Sequence, residues 1–151
     1  MSTQDRKTSA HLIIHGVATA SAAAAGTWSS IPILGPFSIM VGADTPVLAS
    51  LTAGMVVSLG QLFGHSYSEG SVMAVVGNLI GLVFGVNIAR GLAAFIPGAG
   101  GAINAGTAFA LQECIGWAFY TIFKEGRDPV QMSAQEIFEY VKREKQKQGL
   151  T

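Results

Sequence analysis

Four long stretches of apolar and small residues, separated by short breaks, dominate the pattern along the chain. They run over about 11–30, within 37–64, over 71–95 and over 99–123. Each is close to the roughly 20 residues that a helix needs to cross a bilayer core. Because they are rich in Gly, Ala and Ser, such helices also suit the interior of a bundle. The pattern predicts an all-α fold with four long apolar helices.

Two of the breaks share the pattern Ile-Pro-x-x-Gly. Proline removes a backbone donor and glycine loosens the backbone, so both breaks predict helix ends. The central break, over 64–70, is polar and different. We therefore predict two glycine-rich helical hairpins, over 10–64 and 70–124, with uncharged tips. The tip residues are Pro32, Gly35, Pro97, Gly98 and Gly100.

Both ends of the chain are polar. Residues 1–9 form a segment that we expect to be frayed, and residues 125–151 form a tail. In the tail, Ser133 and Glu136 have the spacing of a capping box, and apolar residues follow at helical spacing. The tail is predicted to hold a short amphipathic helix at about 134–148, which docks on the end of the bundle or on a partner.

The charge distribution constrains the environment of the chain. Over 8–123 the only acidic or basic residues are Asp44, Glu69, Arg90 and Glu113, whereas roughly a quarter of the residues of an average soluble domain are charged. So little charge favours either lipid or a tight assembly. The formal net charge is zero, and the sequence shows no basic face of the kind that binds nucleic acid.

Four membrane spans would place both termini and the central loop on one side. Arg6, Lys7, Lys124 and Arg127 flank the apolar region on that side, and the positive-inside tendency makes it the cytoplasm. The expected location is a bacterial inner membrane with both termini cytoplasmic, the hairpins either spanning it or re-entering. The alternative is a cytoplasmic soluble oligomer that buries its low-charge surfaces between subunits.

Glycines recur at intervals of four residues. Gly77, Gly81 and Gly85 form one series, and Gly60 and Gly64 form another. Such glycines share one helix face and let a second backbone approach closely, although each costs about 1 kcal/mol relative to alanine in a helix interior. We expect tight helix–helix contact at these positions, either within the chain or between copies.

Ionisable residues inside apolar stretches are candidates for buried polar roles. In the hairpin arrangement Asp44 and Arg90 lie at similar depths and can pair; alternatively, Asp44 caps the helix that begins ahead of Pro46. Glu113 lies near mid-span. Gln112 and three asparagines also lie in the apolar stretches, namely Asn78, Asn87 and Asn104. With Glu113 they suit either a pore lining or, as we favour, interhelical hydrogen bonds.

No motif for catalysis, a metal or a cofactor is recognisable, and we expect no enzymatic activity. His11 and His15 are one helical turn apart, but no further ligands accompany them, and metal sites usually need three or four. A solvated or interfacial pair is expected. The one cysteine, Cys114, lies in an apolar run and is expected to be a small buried residue.

Several Gly, Pro and Asp positions resemble those of an uncharacterised bacterial family with YcjF-like hydrophobic domains. The resemblance covers about 11–124 and is carried by Ile31-Pro32, Gly42-Ala43-Asp44-Thr45-Pro46, Ile96-Pro97-Gly98-Ala99-Gly100 and Ile115-Gly116-Trp117. In that family the domain is often joined to, or encoded near, Era-like GTPases and is thought to be membrane-associated. The resemblance implies no enzymatic activity and leaves room for a GTPase partner in trans.

These patterns favour a small bacterial membrane-associated structural or assembly protein. It is expected to form a homo-oligomer through the face of Gly77, Gly81 and Gly85, to contact the lipid bilayer, and to recruit a cytosolic protein through its tail. The alternatives are a pore or transport module and a soluble all-α homo-oligomer.

Overall fold

Helices account for nearly all of the described chain. The computed structural model describes residues 1–29, 45–90 and 101–149. It is 84% helical, with no strand in these ranges, which confirms the predicted all-α class. The helices are α1 (Thr3–Ser29), α2 (Thr45–Leu62), α3 (Glu69–Arg90), α4 (Gly101–Lys124) and α5 (Ala134–Lys147), with a 3-10 turn at Pro129–Gln131 before α5.

Helix α1 begins earlier than the apolar pattern predicts. The expectation of a frayed segment over 1–9 is not met, because the helix starts at Thr3. The backbone N–H of Ser2 donates to Asp5 Oδ2 at 3.2 Å, and the N–H of Asp5 donates to Ser2 Oγ at 3.1 Å. These bonds satisfy donors that a first helical turn leaves free. The Ser2 hydroxyl also donates to Asp5 Oδ2, at 2.6 Å, and this bond together with the one from the Ser2 backbone lowers the pKa of Asp5.

Glycines in the left-handed region end both α2 and α4. Gly64 has φ of +79° and Gly126 has φ of +73°. The N–H of His65 bonds to the Gly60 carbonyl at 3.0 Å, which is the Schellman arrangement of a helix C-terminus. Gly64 therefore lies past the end of α2. It acts as a helix cap and not as part of the packing face that its spacing from Gly60 suggests.

The helices pack around α2 and α4. Helix α1 lies along α4 in the most extensive helix–helix contact, and α2 contacts α1, α3 and α4. The N-terminal end of α1 meets the C-terminal end of α2, where the Arg6 guanidinium lies 4.8 Å from the centroid of the Phe63 ring. Helix α5 packs on both α3 and α4, so the tail helix belongs to the bundle.

Each helix contributes to a shared apolar core, but α1 contributes least. Its fully buried residues are Ala10, Ile14, Ala18 and Ser21, of which only Ile14 is large. The other helices bury bulky side chains, including Met55, Leu59, Leu79, Ile80, Ile115, Phe119 and Ile137. Ile13 and Val17 of α1 are partly buried and pack against the same core.

Gly116 is the point at which α1, α2 and α4 come closest. A Cβ atom on Gly116 would lie 2.7 Å from both Cγ atoms of Ile14, on α1, and 3.0 Å from the Sδ of Met55, on α2. Such distances are shorter than van der Waals contact, so only glycine fits without movement of a neighbour. This close approach compensates for the small side chains of α1.

The tail is attached to the bundle by apolar and polar contacts. Ile137 and Val141 are buried in the core. Arg127 donates to the hydroxyl of Tyr140 and to a carboxylate oxygen of Glu136, both at 3.1 Å, and these bonds raise the pKa of Arg127. The apolar face of α5 is therefore used within the chain.

Local sequence signals determine where α5 begins. The predicted capping box is confirmed: the N–H of Glu136 donates to Ser133 Oγ at 3.2 Å, and the N–H of Ser133 donates back to Glu136 Oε2 at 2.9 Å.

A long-range hydrogen bond joins the loop after α2 to the segment ahead of α5. The Tyr67 hydroxyl donates to Asp128 Oδ1 at 2.9 Å. Burial, with this bond, raises the pKa of Tyr67.

Replacing Gly116 by alanine is predicted to destabilise the bundle by about 1–3 kcal/mol, because the new methyl group overlaps Ile14. Gly54→Ala is the matched control: Gly54 is also helical, but a Cβ there meets nothing within 4 Å. The control is expected to raise stability by up to about 1 kcal/mol. Urea unfolding measures both, and equal effects of the two changes would contradict the close contact at Gly116.

Candidate assembly surface and buried polar groups

Between Gly70 and Gly81 the outward face of α3 carries no charge and few large side chains. The exposed residues that recur at helical spacing along it, here called the α3 stripe, are Gly70, Ala74, Gly77, Asn78 and Gly81. Residues three and four apart in a helix lie on one side, so the stripe is a continuous strip of small, uncharged groups. The opposite side of α3, including Val76 and Ile80, is buried.

The glycines of the α3 stripe have open space around them. A Cβ built on Gly77 or on Gly81 meets nothing within 4 Å. The helix thus carries the cost of mid-helix glycine, about 1 kcal/mol each, without a close contact inside the described part of this copy. Gly85 continues the series one turn further along α3. The close contact predicted at Gly77 and Gly81 is not made by the described residues.

Gly60 has a different role from the glycines of α3. A Cβ there would lie 2.8 Å from Cε2 of Tyr67 and 3.5 Å from Cζ of Phe123. Its missing side chain lets the Tyr67 ring lie on α2, beside the stacked rings of Phe63 and Phe123, whose centroids are 5.7 Å apart. Gly60 therefore makes its close contact within the chain, which is one of the two arrangements predicted for these glycines, the other being a contact between copies.

Small residues also form the exposed parts of α1 and α2. Among the described residues the exposed large hydrophobic side chains are Met1, Leu12 and Met73. The outward positions between the helix ends include Gly16, Thr19, Ala20, Ser50 and Gly54. Most large apolar side chains therefore point inward, and the described exterior of α2 and of α1 beyond His15 consists mainly of small, uncharged residues.

Glu113 lies between α1 and α4 and is held by two partners. Its Oε1 is 3.1 Å from Nδ1 of His15, and its Oε2 accepts from Nε1 of Trp117 at 3.1 Å. The rings of His11 and His15 stack with centroids 5.5 Å apart, and His11 lies 6.2 Å from Trp117. The Glu113 side chain is 12% exposed and that of His15 is 55% exposed.

Sequence reasoning considered His11, His15 and Glu113 without joining them, and it gave Trp117 no role of its own. His11 and His15 share one face of α1, and Glu113 and Trp117 share one face of α4, each pair four residues apart. Those spacings are visible in the sequence, but the alignment of α1 with α4 is not. The described residues hold no group of three His, Cys, Asp or Glu side chains suited to a metal ion.

A second buried polar group joins α2 to α4. Thr52 and Gln112 are both fully buried, and Nε2 of Gln112 donates to Thr52 Oγ1 at 2.8 Å. The same hydroxyl donates to the Leu48 carbonyl at 2.6 Å. Gln112 therefore makes the interhelical hydrogen bond that the sequence favoured. On α1 the hydroxyl of Ser21 is also buried and lacks a hydrogen-bond partner in the described structure.

The polar residues considered for a pore lining whose side chains are described do not share one surface. Asn78 is exposed on the α3 stripe, Gln112 is in the core, and Glu113 is between α1 and α4. Asn87 and Asn104 belong to α3 and α4, but their side chains are not among those described. Cys114 is buried, as expected, and burial raises the pKa of its thiol to about 11.

Several predicted site residues lie outside the described ranges. They are Asp44 and the tip residues Pro32, Gly35, Pro97, Gly98 and Gly100. Arg90 is the last residue of α3, but its side chain is not described. The proposed pairing of Asp44 with Arg90 therefore stays a prediction.

Comparison with protein-family models, curated proteins and solved structures gave no match. The resemblance to YcjF-like hydrophobic domains accordingly stays an expectation. Among the helices as far as they are described, none combines the length and apolarity needed to cross a bilayer.

Thr52→Val is predicted to destabilise the bundle by about 1–3 kcal/mol, because the buried amide of Gln112 loses its acceptor. Thr52→Ser keeps the hydroxyl and should cost about 0.8 kcal/mol for the lost methyl group. In the double variant Thr52→Val, Gln112→Met, both polar groups are gone and much of the loss should be recovered. Chemical unfolding tests this, and a valine variant no less stable than the serine variant would contradict it.

Proposed function

We propose that this chain is a structural protein that self-associates through the α3 stripe. The observation that carries the proposal is the open space at Gly77 and Gly81 on an exposed, uncharged helix face. Small residues at spacings of four let two helix backbones approach closely. A second copy of the chain provides a face of the same shape, and pairing the two would give the glycines the contact that they lack.

The absence of charge on the α3 stripe also favours a second copy of the chain as its partner. The α3 stripe has no ionised group whose desolvation would oppose association, and the acidic residue of α3, Glu69, lies at the first position of the helix. Met73 at the edge of the stripe is a partly exposed apolar side chain that can pack against a neighbour. These features support a protein–protein contact of low polarity.

Gly77→Leu is predicted to weaken self-association at least ten-fold, because the larger side chain holds the two backbones apart. Gly54→Leu is the matched control, since Gly54 is exposed and open but lies on α2. Sedimentation equilibrium measures the assembly, with circular dichroism confirming that both variants keep their helices. Equal assembly of Gly77→Leu and wild type would contradict a contact at the α3 stripe.

Membrane association is a second candidate, favoured by the one-sided placement of charge. Charged residues gather at the start of α1 and α3, at the end of α4 and on α5, whereas the rest of the described helices carries Glu113 and, at the other end of α3, Arg90. An uncharged body with a charged end suits a bilayer and its headgroup region. On this proposal the hairpin ends would face the lipid.

The prediction from this second candidate is that the full chain floats with vesicles of mixed neutral and anionic phospholipid in a density gradient without detergent. A soluble helical protein of similar size is the control and should stay at the bottom. If the chain also stays at the bottom, membrane association fails. Self-association through α3 is decided separately by the sedimentation experiment.

Recruitment of a cytosolic partner by the tail is a further part of the proposal. Because Ile137, Tyr140 and Val141 are buried, such a partner would meet the charged outer face of α5. That face includes the exposed residues Lys142 and Arg143. A GTPase partner would depend on the family resemblance alone.

A further inference from the structure

Two exposed imidazoles lie side by side on the outer face of α1. His11 and His15 are one helical turn apart, and their rings are stacked with centroids 5.5 Å apart and an interplanar angle of 24°. A metal ion that binds one nitrogen of each ring at about 2.0–2.1 Å requires the centroids to be roughly 5 Å apart. The two rings therefore have nearly the separation that a shared ion requires.

A carboxylate from a different helix orients one of these rings. Oε1 of Glu113, on α4, lies 3.1 Å from Nδ1 of His15, and Nε1 of Trp117 donates to the other carboxylate oxygen. Because an ionised carboxylate accepts hydrogen bonds and donates none, this contact assigns the ring proton to Nδ1 and leaves the lone pair of Nε2 free. Histidine ligands of metal ions usually hold their second ring nitrogen in this way.

Exposure and charge around the two imidazoles also suit a cation. His11 is exposed, and the side chain of His15 is 55% exposed, whereas that of Glu113 is 12% exposed. An ion can thus reach both rings from solvent while the carboxylate stays behind them. Lys7 lies one turn before His11, but its side chain is also exposed, and solvent and salt screen its charge.

The number of protein ligands determines what kind of site this is. Two imidazole nitrogens are fewer than the three or four ligands of a closed metal centre, and the described residues offer no group of three suited to an ion. Glu113 accordingly acts behind His15, and water would fill the remaining positions. Imidazole ligands suit Zn²⁺, Ni²⁺ and Cu²⁺, of which Cu²⁺ binds most tightly.

We propose that His11 and His15 form a two-histidine site for a late divalent transition-metal ion. Glu113 is a positioning residue that acts through His15. Both ligands come from consecutive turns of one helix, so an ion can bind to a single copy without movement of the other helices. The site is independent of the α3 stripe, which lies on another helix.

Pulsed electron paramagnetic resonance of the full chain, with less than one equivalent of Cu²⁺ at about pH 7.5, tests the site, because free imidazoles are mostly neutral there. The wild type should show nitrogen couplings from two imidazoles, and His11→Ala and His15→Ala should show no more than one. Calorimetric titration with Cu²⁺ should give an affinity roughly 100-fold lower in each variant, since the second bond of the wild type forms within one molecule.

His65→Ala is the matched control for these measurements. The described ring contacts of His65 are with Tyr67 and Phe123, away from α1. The control should keep the couplings from two imidazoles and the affinity of the wild type, and circular dichroism confirms that all variants keep their helices. If His11→Ala or His15→Ala binds Cu²⁺ as the wild type does, the ion is adventitious and the proposal is overturned.

Glu113→Gln tests the positioning role separately. The neutral amide is a weaker partner for Nδ1 of His15, so we expect the affinity for Cu²⁺ to fall roughly ten-fold, as changes to such supporting groups do. Couplings from both imidazoles should remain, because both ligands are still present. An affinity equal to that of the wild type would refute the role assigned to Glu113.

Discussion

Scarcity of charge is the constraint on which the rest of this structure depends. A stretch with four acidic or basic residues between positions 8 and 123 cannot cover itself with ions, as ordinary soluble domains do. The described bundle directs most of its large apolar side chains inward, and the exposed face of α3 after Glu69 consists of Gly, Ala, Ser and Asn with Met73. Small side chains keep the exposed apolar area low and also let other helices come close. Small, uncharged side chains therefore limit the exposed apolar area of a single copy, and the same side chains would allow close packing in an assembly.

Close approach of backbones has two distinct uses in this fold. At Gly116 and Gly60 the space is already filled, by Ile14 and by Tyr67, so these glycines stabilise the single copy. At Gly77 and Gly81 the space is open. Within the described residues, therefore, two glycines of this chain make close contacts and two do not, and the proposed self-association rests on that difference.

The sequence predicted the helical segments because apolar runs and Pro or Gly breaks are local signals. It also predicted the start of α5, where the Ser133 and Glu136 pair acts over three residues. The start of α1 was not predicted, because residues 1–9 are polar and lack the apolar pattern by which the other helices were recognised. Ser2 caps the helix there. The sequence pattern grouped Gly64 with Gly60 because spacing alone cannot show that a helix has ended.

Contacts between helices were beyond the reach of the sequence, since they depend on how each helix is aligned with its neighbours. His15 and Glu113 are 98 positions apart, and no local pattern shows that they meet. The contact between Tyr67 and Asp128 is of the same kind. For the candidate site, the sequence identified the glycine series of α3 but could not tell whether its contacts lie inside or outside the copy. The positions of the described helices show that they make no close contact with Gly77 or Gly81.

Disulfide cross-linking at Ala74 tests most directly whether the α3 stripe meets another copy. Ala74 is an exposed member of the stripe, and the native Cys114 is first replaced by serine. In this background we expect Ala74→Cys to give a covalent dimer on mild oxidation at micromolar concentration, because a disulfide requires Cα atoms within about 7 Å. Gln61→Cys, exposed on α2, should remain a single chain. If Ala74→Cys also remains a single chain, the central claim is contradicted.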